Sequence, residues 1–198
     1  MIHNYLECVV KIAKILSSDP NIEVISSLIS ILNFTQKYNG RVFFLGVGGS
    51  AANASHATND FRKLSGIETY SVTDNVYELT ARANDDGWDT IFSNYLKNSH
   101  LCGSDVVFVL SVGGGNLDRN ISVNIIQAIN FAKGAGASIV GITGKQNGYL
   151  AKPGIADCVI IIPTVDSTLI TPLTESFQSV LLHLLVSHPL LKKEETIW

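Results

Sequence analysis

No run of ~18 uninterrupted apolar residues occurs in this chain of 198 residues, so a membrane-spanning helix is not expected. The first residues, MIHNYLECVV, lack the basic start and long apolar stretch of a secretory signal. Cysteine is scarce. Cys8, Cys102 and Cys158 are odd in number and show no CxxC or Cys/His spacing, which argues against a disulfide scaffold and a zinc module. Reduced thiols in a cytoplasmic protein are the expectation. Charge is scarce as well: 16% of residues are Asp, Glu, Lys or Arg, and 17 acids against 14 bases leave a formal charge of −3. Without clustered cations, binding to a nucleic-acid backbone is not expected. What the chain does have is apolar residue types, 46% of the total. With the membrane set aside, that surface belongs in a core or between subunits.

The length suits a single domain over 1–198, and no repeat, low-complexity block or linker divides it. Apolar residues recur with helical spacing up to Tyr38, as in Val9, Ile12, Ala13, Leu16 and then Val24, Leu28, Leu32. Asp19-Pro20 is the natural break, which makes 1–38 a two-helix extension and 39–198 the main body. From Arg41 the pattern changes to short β-branched runs: 42–46, 106–112, 138–143 and 158–163, with a weaker one over 68–72. Helical segments lie between them, over 50–63, 88–98, 122–134 and 174–187. Strands alternating with helices indicate an α/β fold, a three-layer α/β/α sandwich on a five-stranded parallel sheet preceded by N-terminal helices. In such sheets ligands sit at the carboxyl ends of the strands.

The first strand runs into Gly46-Val47-Gly48-Gly49-Ser50-Ala51-Ala52. Glycines permit a sharp turn, and the helix that follows aims free amides at it, an arrangement suited to phosphate. Gly48, Gly49 and Ser50 are therefore candidate phosphate ligands. The spacing also matches G-x-G-x-x-A, so a dinucleotide fold must be weighed. Its acidic residue is poorly supplied: Glu68 sits at the start of the candidate second strand, and Asp74 comes late. A turn with no ligand is the bland alternative. The third strand ends in a second loop, Ser111-Val112-Gly113-Gly114-Gly115, and Ser122 opens the next helix. Ser111, Gly113, Gly114 and Ser122 complete one possible cradle, and a phosphorylated small molecule is its economical ligand.

These residues resemble a known family. GVGGSAANASH (46–56) is similar to the GNGGSAADAQH signature of sedoheptulose 7-phosphate isomerases, members of the sugar isomerase (SIS) superfamily. The likeness continues through LTARANDDGW (79–88), NIIQAINFAKGAGASIVGITG (124–144) and the last long helix. It departs at the second loop, where the family reads S-T-S-G-N-S-x-N. This chain keeps Ser111, has Val112 and Gly113 next, and carries about six extra residues before Ser122-Val123-Asn124. The resemblance implies a homotetramer with active sites between subunits, heptose supply to a surface polysaccharide, and Asn84 or Asp85 against the sugar.

It also implies an acid–base and metal set. His56 and Asp60 stand four apart on one helix face, on positions that are His and Glu in the family. TPLTESFQSVLLH (171–183) aligns with the family's T-x-R-I-Q-E-x-H-x-x-x-x-H and places His183 on the catalytic histidine. Glu175 falls on a glutamine that joins a zinc site in some members. The implied roles are Asp60 and His183 as the proton-transfer pair, with His56, Asp60, Glu175 and His183 as ligands for Zn²⁺ or a similar divalent ion. No nucleotide cofactor is expected. Taken singly, His183 reads as a core histidine, His56 and Asp60 as helix-surface residues, and Glu175 as a carboxylate near a helix start. The competing function is a non-catalytic phosphosugar-binding or regulatory protein of the same superfamily.

Overall fold

The β-branched runs expected as strands do pair, and every pairing is parallel. The computed structural model describes residues 1–196, with strands in the order β2-β1-β3-β4-β5. They are β1 (Arg41–Leu45), β2 (Glu68–Ser71), β3 (Val106–Ser111), β4 (Ser138–Thr143) and β5 (Cys158–Ile161). Side chains alternate between the faces of a strand, so each strand feeds two cores. Val42, Phe44, Val106, Phe108 and Leu110 point one way, into a cluster with Ile12, Leu28, Phe61, Phe177 and Leu185. Phe43, Leu45, Val107 and Val109 point the other way, against Phe92, Leu96, Ile125 and Ile129.

The first layer therefore holds α1 (Ile2–Leu16), α2 (Asp19–Lys37), α3 (Gly49–Ser65) and α7 (Ile170–Ser187). The opposite layer holds α5 (Ile91–Asn98) and α6 (Val123–Ala135). The N-terminal helices thus share one core with the sheet. Their break falls two residues earlier than Asp19-Pro20. Ser17 and Ser18 interrupt the chain, Ser18 Oγ donating to Ile15 O at 2.7 Å, and the two axes differ by 73°. Pro20 sits in the first turn of α2, where no partner exists for the amide it lacks.

One helix was not expected. α4 (Val76–Asp85) has no fully buried residue; Leu79 and Ala83 are partly covered against the second core. Asn75 caps it by accepting from Glu78 N at 3.3 Å. The segment Ser167–Ser187 is long and apolar enough to cross a membrane by length and composition alone. It contains α7, whose Leu173, Phe177, Leu181, Leu182 and Leu185 are buried in the core. It is a core helix.

At the amino ends of the strands the sheet is clamped. The Asp105 carboxylate, which is buried, takes Arg41 Nη2 at 2.6 Å and Arg41 Nε at 3.1 Å. It also accepts the amides of Arg41 and Cys102, each at 3.0 Å. Arg41 Nη1 reaches on to Ser99 O at 3.0 Å, which ties in the end of α5. Burial pushes the Asp105 carboxyl up, but the guanidinium and the two amides together outweigh it and hold it below the ordinary carboxylate value.

Candidate active site

Two helices from distant parts of the chain, α3 and α7, lie side by side and point the same way. Their contacts form a ladder. At the first rung the Glu175 carboxylate lies against Gly49, so tightly that a β-carbon on Gly49 would collide with it. Gly48, just before, has φ 62°, a conformation glycine adopts without strain. At the second rung Gln178 Oε1 accepts from Ser50 Oγ at 3.0 Å and from Asn53 Nδ2 at 3.1 Å. Asn53 Nδ2 also donates to Glu175 O at 2.9 Å. At the third rung stand His56, Asp60 and His183.

This last group is compact. His56 Nε2 is 3.1 Å from Asp60 Oδ2, His183 Nε2 is 3.6 Å from the same oxygen, and the two imidazole nitrogens are 3.4 Å apart. The rings meet edge to face, 73° apart with centroids at 4.9 Å. Asp60 is largely covered, while both histidines are about half exposed. The slot beside them, lined also by Asn53, Phe61 and Leu182, has a volume of only about 10 Å³. That admits one water or one ion. Any molecule larger than that has to lie over the open side, against the exposed imidazoles.

The donor set fits a divalent metal. Zinc bound at ~2.0–2.1 Å in tetrahedral geometry sets its ligand atoms roughly 3.3 Å apart. The three separations observed, 3.1, 3.4 and 3.6 Å, bracket that edge. Two imidazoles and one carboxylate are ordinary zinc ligands, and the arrangement leaves a fourth position for water or substrate.

No family model matches the chain. It is 31% identical over 156 residues to a phosphoheptose isomerase of Haemophilus ducreyi, covering 77% of this chain and 76% of that one. It is 35% identical over 155 residues to a phosphoheptose isomerase of Vibrio parahaemolyticus, with 76% of each chain covered. The chain belongs to the phosphoheptose isomerase family. Its fold superposes on the phosphoheptose isomerase of Francisella tularensis with a TM-score of 0.76 at 19% identity, over 93% of this chain and 91% of the other. That is the sugar isomerase fold, as the parallel sheet and its flanking helices require.

Set against this family, the residues singled out in the sequence do not all come together. His56, Asp60 and His183 converge. Glu175 stands outside their group among the described residues, because eight residues of helix carry it about 12 Å along the axis from His183. The hydroxyls of Ser50 and Ser111 are buried and engaged inside the fold, Ser50 with Gln178 and Ser111 as acceptor from Gly114 N at 3.0 Å. Asn84 and Asp85 lie on the exposed last turn of α4, bonded to each other at 2.8 Å. Ser122 starts α6 in a left-handed conformation, φ 53°, with no side-chain cap. The dinucleotide alternative loses its acid: Glu68 pairs in register with Arg41, at the opposite end of β1 from the glycine turn.

Sequence reasoning missed Gln178. Its signal was present: a polar residue stands within the apolar stripe Leu173, Phe177, Leu181, Leu182, and it is fully buried. A buried amide of that kind has partners.

Proposed function

We propose that the protein is an aldose–ketose isomerase that interconverts sedoheptulose 7-phosphate and a glycero-manno-heptose 7-phosphate. The single observation that carries the reading is the convergence of His56, Asp60 and His183 within 3.1–3.6 Å on α3 and α7 in a chain of this family. A protein that only bound a phosphosugar would have no use for such a proton-transfer group.

The chemistry needs no outside oxidant. In the ketose-to-aldose direction a base takes a proton from C1 and the C2 carbonyl oxygen gains one, giving the enediol. A proton delivered to C2 and one lost from the C1 hydroxyl leave the aldose. Asp60 and His183 are the proton-transfer pair. Asp60 is held by its contact with His56, and the half-exposed His183 ring faces the open side where the sugar lies. His56, in contact with both, fixes their orientation. Where a divalent ion is bound, His56, Asp60 and His183 would hold it, and it would supply a Lewis acid for the carbonyl. The phosphoryl group goes to the loops at the carboxyl ends of the strands. Assembly into a homotetramer belongs to the same reading. Ile2, Leu6 and Val10, four apart on α1 and each more than half exposed, support it.

The test incubates the purified protein with sedoheptulose 7-phosphate, with and without added Zn²⁺, and follows the aldose phosphate. Turnover is expected in the wild type, with a loss of at least about 10²-fold in His183→Ala and Asp60→Ala. No turnover under either condition, or equal turnover in wild type and His183→Ala, overturns the assignment. Metal content of the isolated protein is the second readout, and Asp60→Ala is expected to lower it.

A further inference from the structure

The glycine turn before α3 is not an open anion seat, since the Glu175 carboxylate already lies against Gly49 in the first turn of that helix. A dianionic phosphoryl group placed there would face a carboxylate. The loops after β3 and β4 offer the opposite environment. Between them is a cavity of about 200 Å³, some twentyfold larger than the slot beside the histidines. Gly113, Gly115 and Gly148 line it, so backbone is accessible, and Arg119 and Lys145 bring two cations. No carboxylate lines it among the described residues, and neither cation has an ion-pair partner there.

The extra residues of the second loop build this place. Asn116 and Ile121 form a two-residue antiparallel bridge, each amide donating to the other's carbonyl at 2.9 Å. Asn116 Oδ1 accepts Arg119 N at 2.9 Å, which pins the turn that presents the arginine. Lys145 follows Gly144, whose backbone packs against Thr174, the neighbour of Glu175. The cavity is therefore next to the glycine turn, on its β4 side.

We propose that Arg119 and Lys145 seat the phosphoryl end of the sugar substrate, replacing the hydroxyl-lined seat that Val112 and Gly113 no longer provide. The proposal rests on the phosphosugar reading above. An arginine fork and a lysine ammonium are the residues suited to a phosphate dianion, and the inserted loop exists to carry one of them.

The test has two arms on the full-length protein. In the first, inorganic phosphate is titrated by calorimetry into wild type, Arg119→Gln, Lys145→Gln and the double variant. Each single change is expected to weaken phosphate about tenfold or more, and the double variant to lose measurable binding. Both side chains are exposed, so an unchanged urea midpoint certifies the fold. In the second, sedoheptulose 7-phosphate kinetics are expected to show the loss in KM rather than in kcat. Phosphate affinity that ignores the double substitution overturns the seat, whatever the turnover. A wild type that binds phosphate through these residues yet turns over no sugar keeps the seat and removes the isomerase assignment. Glu175→Gln discriminates further: a gain in phosphate affinity that survives loss of Arg119 and Lys145 places the anion at the glycine turn and refutes the proposal.

Discussion

Gln178→Leu removes the middle rung between α3 and α7 while keeping a side chain of similar bulk. Two donors lose their acceptor. Ser50 Oγ, on a residue only 2% exposed, has Gln178 as its bonding partner, so its hydroxyl is stranded in the core, a cost of about 1–3 kcal/mol. Asn53 Nδ2 keeps Glu175 O and loses one neutral bond, about 1 kcal/mol. Burying the leucine returns roughly 1 kcal/mol. The expected net destabilisation is about 1–3 kcal/mol, read as a fall of about 0.5–1 M in the urea midpoint at an m-value of ~2–3 kcal/mol/M. The partner's removal is the decisive control. Ser50→Ala in the Gln178→Leu background takes away the stranded hydroxyl, so the double variant should recover a large part of the loss. A single-variant effect below about 0.5 kcal/mol, or a double variant no better than the sum of the singles, refutes the ladder as a source of stability.

Asp105→Asn breaks the clamp at the amino ends of β1 and β3 and should cost about 3 kcal/mol in urea unfolding, since it leaves the Arg41 guanidinium without its counter-charge. The pH dependence has a defined sign. Because the Asp105 carboxyl is held below its ordinary value, its stabilising contribution is complete above the ordinary carboxylate range. That contribution is lost as pH falls through the lowered native value, so Asp105→Asn should flatten the acid limb of a stability–pH curve. Gly49→Ala drives a methyl group into the Glu175 carboxylate, the free end of a flexible side chain, so the carboxylate should swing aside and the change should cost less than about 1 kcal/mol in urea unfolding. Among the histidines, His56→Ala should weaken Zn²⁺ in a competition titration by at least about tenfold, while His188→Ala, on a residue outside the group, should leave it unchanged.

The sheet was legible in the sequence because its central strands β1, β3 and β4 are buried on both faces, and continuous runs such as VVFVLS leave little alternative. α3 and α7 were legible as helical segments following strands, and His56 with Asp60 from the family resemblance at positions four apart. α4 was not, since its apolar stripe of Val76, Leu79 and Ala83 is short and buries none of them fully. The ladder and the clamp were hidden for another reason. Ser50 and Gln178 are 128 residues apart, Arg41 and Asp105 are 64, and a hydrogen bond over such distances leaves no local pattern. Glu175 was placed as a ligand by the alignment alone; in this chain its carboxylate lies against Gly49, about 12 Å along the helix axis from His183.

The clamp at Asp105 sits at the end of the strands opposite to the loops that carry Arg119 and Lys145. Persistence of the fold and choice of ligand are therefore delegated to different poles of the molecule. The carboxyl-end loops can lengthen, as the one after β3 has done, without loosening what holds the strands in register. Recasting the chain for another phosphorylated sugar would begin with residues 113–121 and 144–148, and would leave the far pole untouched.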